Sequence, residues 1–186
     1  MPRFRKAALT PALTPGLGDT MPQLSSYLPS AIALLPLMFV AVVLAATRPN
    51  LRSEVRTSTR FFAVVGLTIL MQSLHFLEEL RSDFFIRLPE TFGLQPFTET
   101  VFVTFNATWL AIWVISLFAV RAGLRFSCFP LWFLGLAMVL NLLAHPLLAL
   151  RAGGYFPGLL TAPLVGVLGV LTIRELVRVT ASESVT

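Results

Sequence analysis

The sequence predicts an all-α, integral membrane five-helix bundle. Three observations point there: an apolar composition, five apolar runs long enough to cross a bilayer, and arginines gathered at the ends of those runs. Of the 186 residues, 56% are hydrophobic and only 12% charged, whereas a soluble domain carries about a quarter charged residues. Burial in lipid therefore takes the place of a water-excluding core. A crossing helix needs about 20 apolar residues, at roughly 1.5 Å each, to cover a hydrocarbon core of about 30 Å.

Residues 1–26 begin "MPRFRKAALTPALTPGLGDT", rich in Pro, Thr and Gly, and are expected to be disordered; Met21 offers a second start. Segment 27–180 is expected to be one membrane domain and 181–186 a short tail. The five expected spans run from Leu28 to Thr47, Phe61 to Leu80, Thr98 to Val120, Phe129 to Leu150, and Gly158 to Val177. The first contains "AIALLPLMFVAVVLAA", which exceeds a signal-peptide core and is followed by arginines, so it reads as a retained span.

Orientation follows from arginine bias. Arg48, Arg52, Arg56, Arg60, Arg121, Arg125, Arg174 and Arg178 follow spans one, three and five, against Arg81, Arg87 and Arg151 on the other side. Eight against three places the C-terminus in the cytoplasm and the N-terminus outside. The formal charge of +5 belongs to these loops and to lipid headgroups rather than to nucleic acid. A single cysteine, Cys128, excludes an internal disulfide and any CxxC metal or redox motif.

Polar residues converge near the outer face. His75, Glu78 and Glu79 fall in the last turns of span two; Asn141 and His145 lie one turn apart on span four; Asn106 sits near the outer end of span three. At 100° per residue Gln72, His75 and Glu79 form a stripe, and Asn106, Trp109 and Trp113 form another on span three. An ionisable side chain at mid-bilayer costs at least about 2.5–3.5 kcal/mol, so such stripes turn toward a cavity or a partner. Pro146 removes a backbone donor beside His145 and predicts a kink there. Gly154, Gly158, Ala162 and Gly166 make a small-residue stripe for close helix packing.

"HFLEE" at 75–79, "NLLAH" at 141–145 and "YFPGLLT" at 155–161 together resemble the HXXEE-domain family of small bacterial integral membrane proteins. The resemblance implies that His75, Glu78 and Glu79 matter and that the chain sits in a bacterial inner membrane. It names no reaction.

The leading expectation is a membrane-embedded enzyme acting on a lipophilic, isoprenoid- or sterol-like substrate. His75 and Glu79 would transfer protons, Glu78 would tune them, and His145 would complete the catalytic set. Gln72, Asn106, Trp109, Trp113, Asn141 and Tyr155 would contact the substrate, the tryptophans by stacking or by stabilising a cation. A second expectation is a mononuclear zinc or iron site of His75, Glu79 and His145. Histidine boxes, Glu-x-x-His pairs and HExxH are absent, which excludes the corresponding hydroxylase, di-iron and zincin sites. A third is a ligand-binding or proton-relay protein, which without an inverted repeat would work as a homo-oligomer. Against these stand plainer roles: Asn106 and Asn141 as bridges between helices, the tryptophans as packing, the Glu-Glu-Arg81 cluster as an interface marker.

Overall fold

The computed structural model describes residues 24–124 and 127–181. The expectations for residues 1–23, Met21 among them, for Arg125 and for 182–186 lie outside these. The described residues form six α-helices: α1 (Leu28–Thr47), α2 (Thr59–Arg81), α3 (Phe84–Thr91), α4 (Glu99–Ala122), α5 (Cys128–Ala152) and α6 (Ala162–Val179). A 3-10 turn, Leu24–Tyr27, leads into α1. Two short strands, β1 (Asn50–Leu51) and β2 (Thr180–Ala181), pair antiparallel and link the segment after α1 to the end of α6.

Local chemistry sets the ends of the helices. Ser58 and Thr98 cap α2 and α4 by accepting from the backbone N–H of Phe61 and Val101, and Gly123 and Gly153 end α4 and α5 with positive φ, a conformation that costs glycine little. α5 continues through Pro146.

Among the described residues, four helices are long and apolar enough to cross a membrane: α1 with its preceding turn, α2, α4 and α5. The expected count of five is not reached by this measure. α6 has 18 residues and carries Arg174, Glu175 and Arg178 in its last two turns. The apolar residues Leu159 and Leu160, counted into the fifth span from sequence, lie instead in the turn before it. Large apolar side chains such as Phe39, Ile115, Phe118 and Leu143 are exposed on the bundle, which suits lipid rather than water.

The core sits between α2, α5 and α6, around Phe61, Val65, Leu131, Trp132, Leu134 and Leu176. α5 and α6 approach closely at glycines. A methyl group at Gly169 would lie 2.8 Å from the carbonyl oxygen of Gly135, and one at Gly135 would lie 2.8 Å from Ile173 Cγ1. The expected small-residue stripe is corrected in part: Gly166 makes the approach, joined by Gly169 and Gly135, whereas a methyl group on Gly154 would meet nothing within 4 Å and one on Gly158 would meet imidazoles. α2 and α6 share a buried hydroxyl pair, Thr68 and Thr172, at 2.8 Å.

α2 and α6 run antiparallel with paired ends. At one end Arg60 of α2 meets Glu175 of α6 at 2.7 Å; at the other, Glu78 accepts from the backbone N–H of Thr161 at 2.9 Å. Arg48, donating to the carbonyls of Val177 and Thr180, ties the end of α1 to the Arg60 end. The histidines occupy the opposite end.

Candidate functional site

The site is built where the ends of α2 and α5 meet the turn between α5 and α6. His75 and Glu79 lie one helical turn apart on α2, and His145 comes from α5, so one face of each helix supplies the cluster. All three are buried: His75 0%, His145 2% and Glu79 6% exposed. The two imidazole rings stand perpendicular with centroids 4.7 Å apart. Glu79 Oε1 lies 3.5 Å from His75 Nε2 and 3.5 Å from His145 Nε2.

The turn fixes what the histidines can offer. His145 Nδ1 lies 2.6 Å from the carbonyl oxygen of Pro157. A carbonyl only accepts, so Nδ1 carries the proton and the neutral ring presents the Nε2 lone pair inward. His75 Nδ1 lies 2.6 Å from Thr161 Oγ1. That hydroxyl gives its one hydrogen to Glu78 Oε2 at 2.6 Å, leaving its oxygen to accept from His75 Nδ1–H. Both rings therefore aim Nε2 lone pairs at the Glu79 carboxylate. His75 Nε2 is buried and has no hydrogen-bond partner among the described residues.

Glu78 points the other way. Its carboxylate accepts from Tyr155 Oη (2.8 Å), the Leu160 and Thr161 backbone N–H groups (3.0 and 2.9 Å) and the Thr161 hydroxyl. The last N–H groups before α6 are thus satisfied by a carboxylate at the helix N-terminus, where the helix dipole favours negative charge. The adjacent acids of the motif divide the work: Glu79 enters the cluster, and Glu78 clamps the turn that orients His75. Outside the helices, burial and donation to Glu78 push the Tyr155 hydroxyl above its ordinary pKa.

Gly158 completes the turn. Its φ is +85°, and a methyl group on it would lie 2.7 Å from His145 Nδ1 and 2.8 Å from His75 Cε1. α3 closes this end: Phe84 packs 5.9 Å from the His145 ring and 6.0 Å from Phe156, and Arg87 donates to the Tyr155 carbonyl at 3.0 Å.

Glu79 and His145 also form part of the wall of a partly open cavity of ≈ 840 Å³ lined chiefly by α1, α4 and α5. Its apolar wall includes Met38, Phe105, Trp109, Phe133 and Met138. Of the residues expected to contact a substrate, Gln72, Asn106, Trp109, Trp113 and Asn141 line it. Asn106 also donates to its own helix, at the Phe102 carbonyl. Tyr155 and Glu78 are not in this wall; the hydroxyl donates to the carboxylate across the turn. His75 sits behind Glu79 and His145. Sequence reasoning missed Pro157, Gly158 and Thr161; the one signal for them was their place in "YFPGLLT", next to the residues of the motif in the resemblance.

The convergent atoms of His75, Glu79 and His145 lie within 4.8 Å of one another. Metal bonds of about 2.0–2.1 Å to nitrogen and oxygen set tetrahedral ligand edges of about 3.4 Å, close to the two 3.5 Å separations. Two neutral histidines and one carboxylate, each histidine held through its far nitrogen, are also the donor set and outer support that zinc or ferrous iron takes.

No curated protein and no solved structure matches the chain. The model of a family described as "Protein of unknown function with HXXEE motif" matches residues 66–172, a stretch that contains α2 from Gly66 onward, both histidines, both acids and the turn above them. The chain belongs to that family.

Proposed function

We propose that this protein is a membrane-embedded enzyme that acts on a lipophilic substrate at a mononuclear metal centre of His75, Glu79 and His145. One observation carries the reading: both Nδ1 atoms are committed to acceptors, so two Nε2 lone pairs and a carboxylate oxygen face each other with no N–H between them. Three acceptors that converge in a buried space repel unless a cation lies among them. A single proton on Glu79 satisfies one imidazole; a metal ion satisfies all three groups. The metal-free acid–base pair expected first from sequence thus gives way to the metal centre.

Zinc or iron at this point would polarise a substrate oxygen or supply a bound hydroxide. The chain does the rest. Glu79 and His145 border the cavity and present the reacting face; His75, Thr161 and Glu78 hold that face in register; the aromatic wall admits an apolar molecule and excludes water.

The bundle is read as five crossings. α6 accompanies α2 from Arg60 to Glu78, so if α2 spans the bilayer α6 does as well, its charges reaching the same interface as Arg60. Arg48, Arg52, Arg56, Arg121 and Arg178 share that end, which supports a cytoplasmic C-terminus and an outward-facing site. The family resemblance supports a bacterial inner membrane.

The test is metal analysis of protein purified without chelators. About one equivalent of zinc or iron per chain is expected, lost in His145→Ala and Glu79→Gln. Protein that folds yet holds neither metal, even after incubation with zinc(II) or with iron(II) under nitrogen, overturns the metal centre and returns the cluster to a shared proton.

A further inference from the structure

The cavity beside the cluster has a seam. α1 packs along α5, and α4 packs along α2 and α5, but α1 and α4 make no comparable contact with each other. Side chains of both line the cavity. The edges of the seam belong at once to the cavity wall and to the exposed surface: Leu28, Ile32 and Leu35 on α1, and Val101 and Phe105 on α4. Each set follows helical spacing, so each is one stripe along its helix. All five side chains are apolar, and an opening with such edges faces lipid chains rather than water.

The wall restricts what can lie inside. Among the described residues no arginine or lysine lines it; its polar side chains include the half-buried amides of Asn106 and Asn141 and the carboxyl group of Glu79. Asn141 is one turn from His145 on the same face of α5, which sets their β-carbons about 5–6 Å apart. An amide therefore stands next to the cluster. At the histidine end the lining is Phe84, Leu88, Phe92, Leu94 and Phe97, an apolar roof.

A phosphate head would bring about 1.5 to 2 negative charges under that roof, with no cationic side chain to pair them. A divalent ion in the cluster, half neutralised by Glu79, would not balance them, and an anion buried without a full partner is unfavourable. A small uncharged head needs only the amides. Away from the roof the lining follows α1 from Leu28 to Met38, about 15 Å at the rise of an α-helix, which gives a hydrocarbon chain its length.

We propose that the cavity takes a lipid with a small uncharged head, drawn sideways from the bilayer between α1 and α4, its head beside Asn141 and His145 and its chain reaching toward Met38 and Trp109. This names the substrate class of the proposed enzyme and rests on the cavity being its substrate site, but not on the cation in the centre.

The test places the full chain in phosphatidylcholine nanodiscs that also contain hexadecanol with a diazirine in mid-chain; after photolysis, mass spectrometry maps the label. Label is expected on Met38, Trp109 and Leu140 and is displaced by plain hexadecanol, whereas about tenfold more hexadecyl phosphate should be needed for the same displacement. Label on Phe118, which is exposed, should resist both. Ala33→Trp adds bulk to the α1 side of the wall and should abolish the displaceable label while the metal content stays at the wild-type level. Equal displacement by the alcohol and the phosphate would overturn the uncharged head. Cavity label that hexadecanol does not displace, or that persists in a folded Ala33→Trp, would overturn the site. Should Ala33→Trp fold poorly, the competition in wild type decides alone. A chain that takes displaceable label yet holds no metal sinks the metal centre and leaves this inference standing; one that holds metal and takes no such label does the reverse.

Discussion

Thr161 stands between Glu78 and His75, giving its hydroxyl hydrogen to Glu78 Oε2 at 2.6 Å and receiving His75 Nδ1–H on the same oxygen at 2.6 Å. One hydroxyl thereby couples the acid that caps α6 to the imidazole that faces Glu79. The spacing of the HXXEE motif follows: the histidine and second glutamate, one turn apart, share the buried face, while the first glutamate turns aside to hold the hydroxyl that orients the histidine.

Thr161→Val keeps the shape of the side chain and removes both bonds. We expect zinc affinity to fall about 10- to 100-fold, the usual effect of losing an outer partner of a metal ligand, and stability to fall by about 1–3 kcal/mol for the groups left unpaired. Zinc titration and thermal unfolding in detergent measure the two. Lower stability with unchanged affinity would reduce the Glu78–Thr161 contact to a helix cap.

Gly158→Ala tests the turn from the other side. The φ of +85° and the two imidazole edges leave no room for a methyl group, so either the turn or the rings must move. Left-handed backbone alone costs a non-glycine residue about 1–2 kcal/mol, and displaced rings lose their shared point. The expected result is a destabilised protein with little bound metal. Full metal content in Gly158→Ala would mean the rings have slack that the contacts deny.

How much of this was legible depends on the interaction carrying it. The stripes Gln72–His75–Glu79 and Asn141–His145 follow from helical periodicity, and the cost of burying ionisable groups turned them toward each other, as found. Four expected spans coincide with α1, α2, α4 and α5 to within two residues at each end. The turn was not legible. Pro157 acts through a backbone carbonyl and Gly158 through the absence of a side chain, and neither leaves a periodic signal. Leu159 and Leu160 read as membrane helix because hydropathy does not see backbone dihedrals; the positive φ of Gly158 delays α6 to Ala162. The short α3, in a connection read only as a loop, is amphipathic over too few residues to stand out. Helical periodicity set Glu79 on the His75 face and Glu78 beside it, but that Glu78 clamps the turn was not legible, since only the packing of α6 brings the turn to it.

The arginine-rich end offers a test of the buried carboxylate there. Glu175 is 2% exposed, with Oε1 2.7 Å from Arg60 Nε and Oε2 2.7 Å from Arg178 Nη2. The side chains of Arg60 and Arg178 are themselves 70% and 48% exposed. Each arginine replaced alone by alanine leaves the other to neutralise Glu175, and about 1 kcal/mol or less is expected. The double replacement strands a buried charge and should cost about 3 kcal/mol or more. Adding Glu175→Gln to the double variant should recover much of that loss. Additive single effects in thermal unfolding would show that water already reaches the carboxylate.

Tyr155 provides the pH-dependent prediction. Partial burial, followed by donation to Glu78, raises its hydroxyl above the ordinary value, so the neutral phenol is the form that holds the turn. A raised pKa in the folded state means that this stabilisation is fully present below the unfolded tyrosine value of about 10, and is lost as pH rises through the higher folded value. Subtracting the ultraviolet titration of Tyr155→Phe from that of wild type isolates the residue, because Tyr27, the other tyrosine in the sequence, is common to both. The difference curve should have its midpoint above about 10, and the thermal stability of wild type should approach that of Tyr155→Phe only beyond it. A midpoint at or below the free value would mean that the phenol does not donate to Glu78, and the clamp over His75 would then rest on Thr161 and the α6 backbone alone.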